Sequence, residues 1–390
     1  LQFVYKRGFM VDSLKKMIKK GTPEDSVRYT EKIRAIDKEV IEYKDEFIKK
    51  HPESFLAVVF RAQTDPVVPK TPTLPNGRPD STFPYRYFKG HYFDNMKLYD
   101  SRLLRTPVYA RKLEFYVKNL IVPVPDSVNK DVDDLLFRIR SYMFNPKFRI
   151  ADSIIFSNEK KFEKYEDNKA KYFKGIPDSV LYRLKGAREM FKYTLWYLTS
   201  NYEKSNIMGM DAVFVHLVEK YYATRQAFWV DSAQLVKFMS RAISMDPVLL
   251  NRPAAELMLP DTSGQYVSLK QIKTPLVILY FWDPDCGHCT TETPKLAEEY
   301  HKLLKEGFDI TVYAVYTEKE KFKEWKAFIR KHNLDWINVW DPYDQSGFKK
   351  KFDVYSTPVL YLLNEKKEII AKRLQADQLD NFLKKIYKKK

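Results

Sequence analysis

The stretch LVILYFWDPDCGHCTTETPKL, residues 276–296, decides the fold because it joins a buried strand to a helix and carries both cysteines of the chain. The apolar run PLVILYFW has a length that is typical of one buried strand. Cys286 and Cys289 follow it in C-x-x-C spacing, in a turn that leads into a helix predicted over 286–306. A chain of 390 residues that places both of its cysteines in one turn uses them for a common purpose.

The C-x-x-C spacing predicts thiol chemistry rather than a metal site or a structural staple. A structural zinc site needs four ligands, and the sequence holds no second cysteine pair. A disulfide at this spacing would close a loop too small to add much stability. At a helix start, unpaired backbone N–H groups and the helix dipole favour the thiolate of Cys286. We therefore predict that Cys286 attacks a disulfide and that Cys289 resolves the mixed disulfide.

Strand and helix patterns alternate in the C-terminal part of the chain. After the Pro- and Gly-punctuated stretch 251–269, the pieces FDITVYAVYT, PVLYLLN and KEIIAKR are strand-like, and helices are predicted over 319–332 and 377–388. Such alternation indicates an α/β sheet with crossover helices. We predict a domain boundary near residue 251, with an α/β domain over 252–390.

The first 251 residues have a mostly helical pattern. Residues 1–63 are predicted to be helical, and further helices are predicted over 107–120, 129–144, 178–200, 210–223 and 230–245. Residues 64–86 contain six prolines, which disfavour a helix interior and a central strand, so this stretch is predicted to be a loop. The fold class is therefore α+β multidomain, with a helical domain over 1–251.

The net charge of +17 does not indicate a nucleic-acid partner. From residue 252 onward there are 24 basic and 20 acidic side chains, so residues 1–251 carry +13. These basic residues are spread along helices and form no nucleic-acid motif, which is typical of solvated helix faces. The end of the chain, KKIYKKK, is predicted to be a solubilising tail.

The sequence contains no run of about 18 uncharged apolar residues, the length that a membrane-spanning helix needs. The chain begins with Leu1 rather than Met, which is consistent with a leader or anchor having been removed. We expect any membrane anchoring to use a segment outside this chain.

The residues FWDPDCGHCTTETPKL, followed by YSTPVLYLL about seventy residues later, resemble thioredoxin-fold thiol-disulfide oxidoreductases of the TlpA/ResA type from bacterial cell envelopes. The resemblance covers residues 252–390, about a third of the chain. It implies that Thr357-Pro358 carries a cis-proline whose loop faces the dithiol and binds an extended substrate peptide. It also implies a periplasmic or cell-envelope location, and no cofactor or metal besides the redox-active Cys286–Cys289 disulfide.

Glu292 occupies an acidic position that the resembling proteins carry in C-x-x-E-x-P. One helical turn after Cys289, it would lie beneath the dithiol. A partly buried carboxylate there would pass protons to and from Cys289, with a pKa raised by desolvation. The alternative is a solvated acid near a helix start, stabilised by the helix dipole. The resemblance favours proton handling.

Three further residues flank the pair. His288 makes the motif CGHC, which resembles that of protein disulfide isomerase. An imidazole at this position makes the disulfide more oxidising. The alternative is that His288 is only a spacer on the helix surface. Asp285 acts in the opposite sense, because a neighbouring carboxylate raises the thiol pKa. Trp282 matches an aromatic residue that flanks the site in the resembling proteins. It could contact the substrate or pack in the core at the end of the strand.

The helical region resembles, less specifically, an uncharacterised helical domain that precedes such modules in envelope proteins, most clearly at MDAVFVHLVEKYY and WVDSAQL. It supplies no nucleophile or phosphate loop, so partner recognition is its predicted role. The leading hypothesis is an exported oxidoreductase that exchanges disulfides with protein substrates and with an upstream redox partner protein, the direction being open.

Two alternatives to that hypothesis assign the cysteines other roles. One is a non-catalytic partner-binding protein that uses the thioredoxin fold as a platform, in which case the two cysteines would be dispensable. The other is a thiol peroxidase, whose attacking cysteine follows a hydroxyl residue by three positions. That position holds Asp283 here, which disfavours the peroxidase.

Overall fold

The structure is a computed structural model and describes residues 2–145, 147–148 and 150–387. Its N-terminal α-helices are α1 Gln2–Ile18, α2 Pro23–Lys50, α3 Phe55–Gln63, α4 Phe83–His91, α5 Pro107–Phe115, α6 Pro125–Ser141, α7 Asp152–Ile155, α8 Glu159–Asp167, α9 Lys169–Tyr172, α10 Asp178–Glu203, α11 Asp211–Leu217 and α12 Ser232–Met245. Short 3₁₀-helices span Ser101–Arg105 and Asp246–Val248, and short π-helical segments span Tyr116–Leu120 and Val218–Tyr222. The mostly helical character predicted for this region is confirmed.

The C-terminal elements alternate between strand and helix. In chain order they are β1 Met258–Pro260, β2 Tyr266–Ser268, β3 Leu276–Trp282, α13 Gly287–Lys305, β4 Ile310–Tyr316, α14 Phe322–Lys331, β5 Ile337–Trp340, α15 Phe348–Lys351, β6 Val359–Leu363, β7 Ile369–Lys372, a 3₁₀ turn Ala376–Gln378 and α16 Leu379–Tyr387. The predicted α/β class of this region is confirmed, although β5 was not predicted because it is only four residues long.

The predicted proline-rich loop ends earlier than expected. Residues 64–82 contain no helix, but α4 begins at Phe83, so the loop prediction for residues 83–86 was wrong. Pro84 lies in the first helical turn, where the missing N–H has no intrahelical partner to lose. A proline therefore marks the start of this helix rather than a break in it.

The main sheet has the strand order β5-β4-β3-β6-β7. β3 runs parallel to β4 and antiparallel to β6, and it pairs along its length with both. β4 continues parallel to β5, and β7 pairs antiparallel with β6. β3 is thus the central strand, and β1 and β2 form a separate hairpin.

Strand β3 is buried on both faces, and its side chains alternate between two cores. All seven residues are buried. Leu276, Ile278, Tyr280 and Trp282 pack with residues of α13, α14 and α16. Val277, Leu279 and Phe281 pack on the other face with the β1–β2 hairpin and α15. Burying each such side chain stabilises the fold by about 1.5–3 kcal/mol, so this strand is held firmly in place.

The chain divides into two compact units whose segments interleave along the sequence. The first comprises Leu1–Ile121, Leu135–Ala151 and Lys169–Thr194, and the second comprises Val122–Asp134, Asp152–Asn168 and Leu195–Lys390. The second unit holds the sheet together with helical segments that precede it. The domain boundary near residue 251 stays a prediction.

Across the described residues, no helix combines the length and apolar character needed to cross a membrane. Of the Lys-rich end that was predicted to be a solubilising tail, residues 388–390 lie outside the described part.

Gly186 in α10 tests the packing of the first compact unit. A Cβ at this buried position would lie 1.8 Å from the carbonyl oxygen of Tyr99, a backbone atom that cannot rotate away. We expect Gly186→Ala to lower the free energy of unfolding by about 1–3 kcal/mol or more through overpacking. Chemical denaturation with a matched Gly8→Ala control would measure this.

Gly8 in α1 is a suitable control because a Cβ there meets no atom within 4 Å. Its replacement should add roughly 0.5–1 kcal/mol of stability, since alanine is the better helix former. A Gly186→Ala variant that is as stable as the Gly8→Ala variant would contradict the close approach of α10 to Tyr99.

Candidate active site

Cys286 lies at the junction between β3 and α13. It is the N-cap residue of α13, four residues after the last residue of β3, and its side chain is partly exposed. Its thiol lies 3.2 Å from the carbonyl oxygen of Thr357, to which it donates when protonated. Its own carbonyl accepts the N–H of Thr290 at 3.0 Å, which starts the helix. The predicted place of Cys286 at a strand-to-helix turn is therefore confirmed.

The surroundings of Cys286 favour its thiolate. Burial by itself raises the pKa of this thiol, but hydrogen bonds from the side chain of Thr357 and from the backbone N–H groups of Cys289 and His288 outweigh it. The pKa of Cys286 therefore lies below that of an ordinary cysteine. The unpaired N–H groups of a helix start stabilise negative charge in this way.

Cys289 lies one helical turn further along α13 and is buried. Burial raises the pKa of its thiol to about 12, and the neighbouring Cys286 adds to this. The two thiols of one motif therefore differ in both accessibility and acidity. Cys286 can act as the attacking group at neutral pH. Cys289 stays protonated until it attacks and resolves a mixed disulfide.

The loop that faces Cys286 is held by residues outside the motif. The Thr357–Pro358 bond is cis, as the resemblance implied. Earlier in the same loop, Asp353 accepts hydrogen bonds from Arg241 at 2.5 Å and from Ser244 at 2.7 Å. Both donors belong to α12. Sequence reasoning missed this bridge because its two ends lie more than a hundred residues apart.

The side chain of Glu292 is partly exposed to solvent. Its side chain is 26% exposed, and it accepts a hydrogen bond from Lys295 at 2.8 Å. It shares the lining of one cleft with His288 and Pro358, which we call the Pro358 cleft. Glu292 is therefore on the same side of the molecule as the cis-proline, and its role in proton handling stays a prediction.

The two aromatic flanking residues have different surroundings. His288 is exposed on the first turn of α13, where a binding partner can reach its ring. Trp282 has no exposed surface and packs against Phe328, with ring centroids 5.1 Å apart. Trp282 thus belongs to the same buried cluster as Cys289, and its side chain offers no surface to a substrate.

The charge of Asp285 is compensated by a residue that the sequence did not reveal. Its carboxylate forms an ion pair with Lys321, 36 positions away at the start of α14. The pKa of Lys321 is raised by this hydrogen bond. Because the cation neutralises the carboxylate, Asp285 opposes the thiolate of Cys286 less than its position in the sequence suggested.

The described residues contain no group of three or more His, Cys, Asp or Glu side chains arranged to hold a metal ion.

Two family models match the chain. Residues 250–372 match the AhpC/TSA family, and these residues include the central strand, both cysteines and the cis-proline. The C-terminal part of the chain is a thioredoxin-like domain. Residues 42–166 match a family described as Domain of unknown function (DUF5106), so the predicted resemblance of the helical region to an uncharacterised domain is confirmed over those residues. The stretches MDAVFVHLVEKYY and WVDSAQL, on which that prediction rested, lie outside the match.

Relatives of known name resemble the thioredoxin-like domain. The thiol-disulfide oxidoreductase ResA of Bacillus subtilis is 26% identical over 117 residues, which make up 30% of this chain and 63% of that protein. A solved domain of a possible thiol-disulfide isomerase from Cytophaga hutchinsonii is 42% identical over 36% of this chain and 94% of its own, with a TM-score of 0.34.

One solved structure covers most of the chain. A thioredoxin-like protein from Bacteroides caccae is 17% identical and covers 83% of this chain and 98% of its own, with a TM-score of 0.55. This likeness concerns the fold alone.

The pKa difference between the two thiols predicts selective alkylation. In the reduced protein at pH 8, we expect iodoacetamide to modify Cys286 at least about 100-fold faster than Cys289, because the thiolate is the reactive form. Peptide mass spectrometry over time measures both rates. Thr357→Val should move the pH profile of Cys286 to higher pH, since it removes the side-chain hydroxyl whose hydrogen bond lowers the pKa of Cys286 and keeps the backbone carbonyl.

Unfolded protein provides the control for this measurement, because both thiols then have ordinary pKa values. Equal alkylation rates of the two cysteines in the folded protein would contradict the arrangement.

The Asp285–Lys321 pair predicts an effect on the same pH profile. Lys321→Ala leaves the carboxylate uncompensated, so the pKa of Cys286 should rise and its alkylation at pH 7 should slow by about two- to threefold at low ionic strength. The exposed Lys323 on the same helix is the matched control. In an Asp285→Asn background, Lys321→Ala should have no effect, and an unchanged slowing there would refute the coupling.

Proposed function

We propose that this protein is a thiol-disulfide oxidoreductase that exchanges disulfides with protein substrates through Cys286 and Cys289. The observation that carries the proposal is the asymmetry of the pair: an accessible thiol of lowered pKa at a helix start, and a buried thiol of raised pKa one turn later. This asymmetry is what stepwise exchange requires, since one sulfur must attack and the other must wait.

The reaction proceeds in two steps. The thiolate of Cys286 attacks one sulfur of a substrate disulfide, a mixed disulfide forms, and the other substrate sulfur leaves as a thiolate. Cys289 then loses its proton and attacks the sulfur of Cys286, which releases the second substrate thiol and leaves the Cys286–Cys289 disulfide. The substrate has gained two electrons and the protein has lost two. The reverse sequence oxidises a dithiol, and the relative potentials set the direction.

Cys289 must give up its proton during the second step, although burial raises the pKa of its thiol to about 12. We assign the proton transfer to Glu292, which lies one turn further along α13 and is partly exposed. A carboxylate in contact with both protein and solvent can pass a proton between them, directly or through water.

The substrate is proposed to be a protein in the cell envelope. The Thr357 carbonyl lies 3.2 Å from the attacking sulfur, so a peptide bound along this loop would hold its disulfide at the thiolate. The name of the Bacillus subtilis relative supports the activity. The helical region would recognise partners, and an upstream redox protein would return the pair to its working state.

A disulfide-trapping experiment tests the function. The reduced Cys289→Ala variant is mixed with a small folded protein that contains one accessible disulfide, and the products are analysed by non-reducing electrophoresis and mass spectrometry. We expect a mixed disulfide through Cys286 to accumulate, because no resolving thiol is present. The wild type should instead reduce the substrate and form its own disulfide.

Cys286→Ser is the control and should give neither adduct nor reduction. Reduction of the substrate by Cys286→Ser at the wild-type rate would refute the function and would favour the platform hypothesis. Trapping with Cys289→Ala in cell-envelope extracts then addresses substrates: apo-cytochromes would indicate haem-protein maturation, and many unrelated exported proteins would indicate a general role.

A further inference from the structure

A cleft of about 480 Å³ lies within the second compact unit, next to His288 of the C-x-x-C motif. This is the Pro358 cleft, and its lining includes His288 and Glu292 of α13 as well as Pro358. Asp211 and Arg241, which precede the thioredoxin-like domain in sequence, complete its wall. A cleft of this volume accommodates a ligand of a few amino-acid side chains.

The acidic groups of the cleft already have cationic partners. Asp211 forms a buried ion pair with Lys372 of β7. Asp353 is paired with Arg241 at 2.5 Å, and Glu292 is paired with Lys295 at 2.8 Å. These pairs cancel most of the charge that faces the cleft.

Arg373 is a cationic residue of the cleft that takes part in none of these ion pairs. Its side chain is exposed and lines the cleft, and among the described residues no acid forms an ion pair with it. Its backbone N–H donates to the carbonyl of Leu360 at 3.0 Å, which fixes it beside the strand that follows Pro358. The residue has a φ of 58°, a left-handed conformation that is uncommon for residues other than glycine and that clusters at binding sites.

The rest of the lining suits a peptide. Val359, Leu374 and the ring of Tyr355, which is 74% exposed, offer apolar surface next to the single unpaired guanidinium. A guanidinium binds a carboxylate through two parallel hydrogen bonds, which gives geometric selectivity as well as attraction. His288 of the C-x-x-C motif and Pro358 both line the cleft. An extended peptide advances about 3.3–3.6 Å per residue, so a segment bound along the Pro358 loop would reach the cleft within a few residues of the reacting cysteine.

Building on the function proposed above, we propose that the Pro358 cleft binds the substrate segment next to the reacting cysteine and that Arg373 binds an Asp or Glu side chain of that segment. Arg373 would thereby make the enzyme selective for disulfides with an acidic residue nearby. The helical residues Asp211 and Arg241 shape the same cleft.

The test uses the full-length reduced protein and single-cysteine peptides, each blocked as a mixed disulfide with thionitrobenzoate. Cys286 attacks the peptide sulfur and thionitrobenzoate leaves with the electron pair. Cys289 then displaces the peptide thiol and the Cys286–Cys289 disulfide forms. Release of thionitrobenzoate is followed by its absorbance. The peptides carry Glu or Gln at one to four residues on either side of the cysteine.

We expect the wild type to react about three- to tenfold faster with the Glu peptide than with its Gln counterpart at one or more positions, at low ionic strength. Arg373→Gln should lose this preference and react with the Glu and Gln peptides at equal rates. Arg373→Glu should instead prefer a Lys peptide. High salt should reduce the preference of the wild type, because the contact is between exposed charges.

Arg225→Gln is the matched control. Arg225 is also an exposed arginine in a left-handed conformation, with a φ of 62°, but it does not line the cleft. This variant should keep the wild-type preference, and thermal unfolding should show that each variant is folded.

The outcomes separate this inference from the proposed function. Equal rates with Glu and Gln peptides at every position, or a preference that survives in Arg373→Gln, would overturn the acidic-segment inference, while thionitrobenzoate release that depends on Cys286 would still support the function. Release by Cys286→Ser at the wild-type rate would overturn the function itself. If Arg373→Gln slows only the reaction with a glutathione mixed disulfide, the site serves a small thiol and the protein-segment inference is wrong.

Discussion

The burial of β3 on both faces fixes the position of the elements around it. Its seven side chains alternate between two cores, so a shift in register would move every apolar residue into the wrong core. Because the strand is fixed in this way, the turn after it is also fixed, and Cys286 is held at the start of α13. The reactivity of the site is therefore a consequence of how the sheet packs.

The same packing makes two identical side chains behave differently. The first helical turn leaves N–H groups unpaired and stabilises a thiolate at Cys286, whereas the next turn carries Cys289 into the core, where its charged form is disfavoured. Cys286 and Cys289 thus have different roles, attacking and resolving, although they lie only one helical turn apart. Thr357 completes the site from a loop 71 residues away, where its carbonyl lies 3.2 Å from the attacking sulfur.

Residues that precede the thioredoxin-like domain contribute to its surroundings. Arg241 and Ser244 of α12 hold Asp353, and Asp211 of α11 pairs with the buried Lys372. Removing one partner of a buried ion pair leaves an unpaired charge, which is strongly destabilising, so these contacts tie the helices and the domain together energetically. The helical residues thereby hold the loop that carries the cis-proline, and they form part of the cleft wall beside it.

The sequence by itself determined the features that depend on neighbours along the chain. The strand, the helix start and the C-x-x-C spacing together predicted the α/β region, the position of Cys286 and its chemistry, because hydrophobic period and helix termini are local properties. Which distant residues meet follows from the tertiary structure: Lys321 neutralises Asp285, and Arg241 bonds to Asp353. These contacts join residues far apart in the chain, and no local pattern encodes such a pairing, because it arises from packing the whole unit.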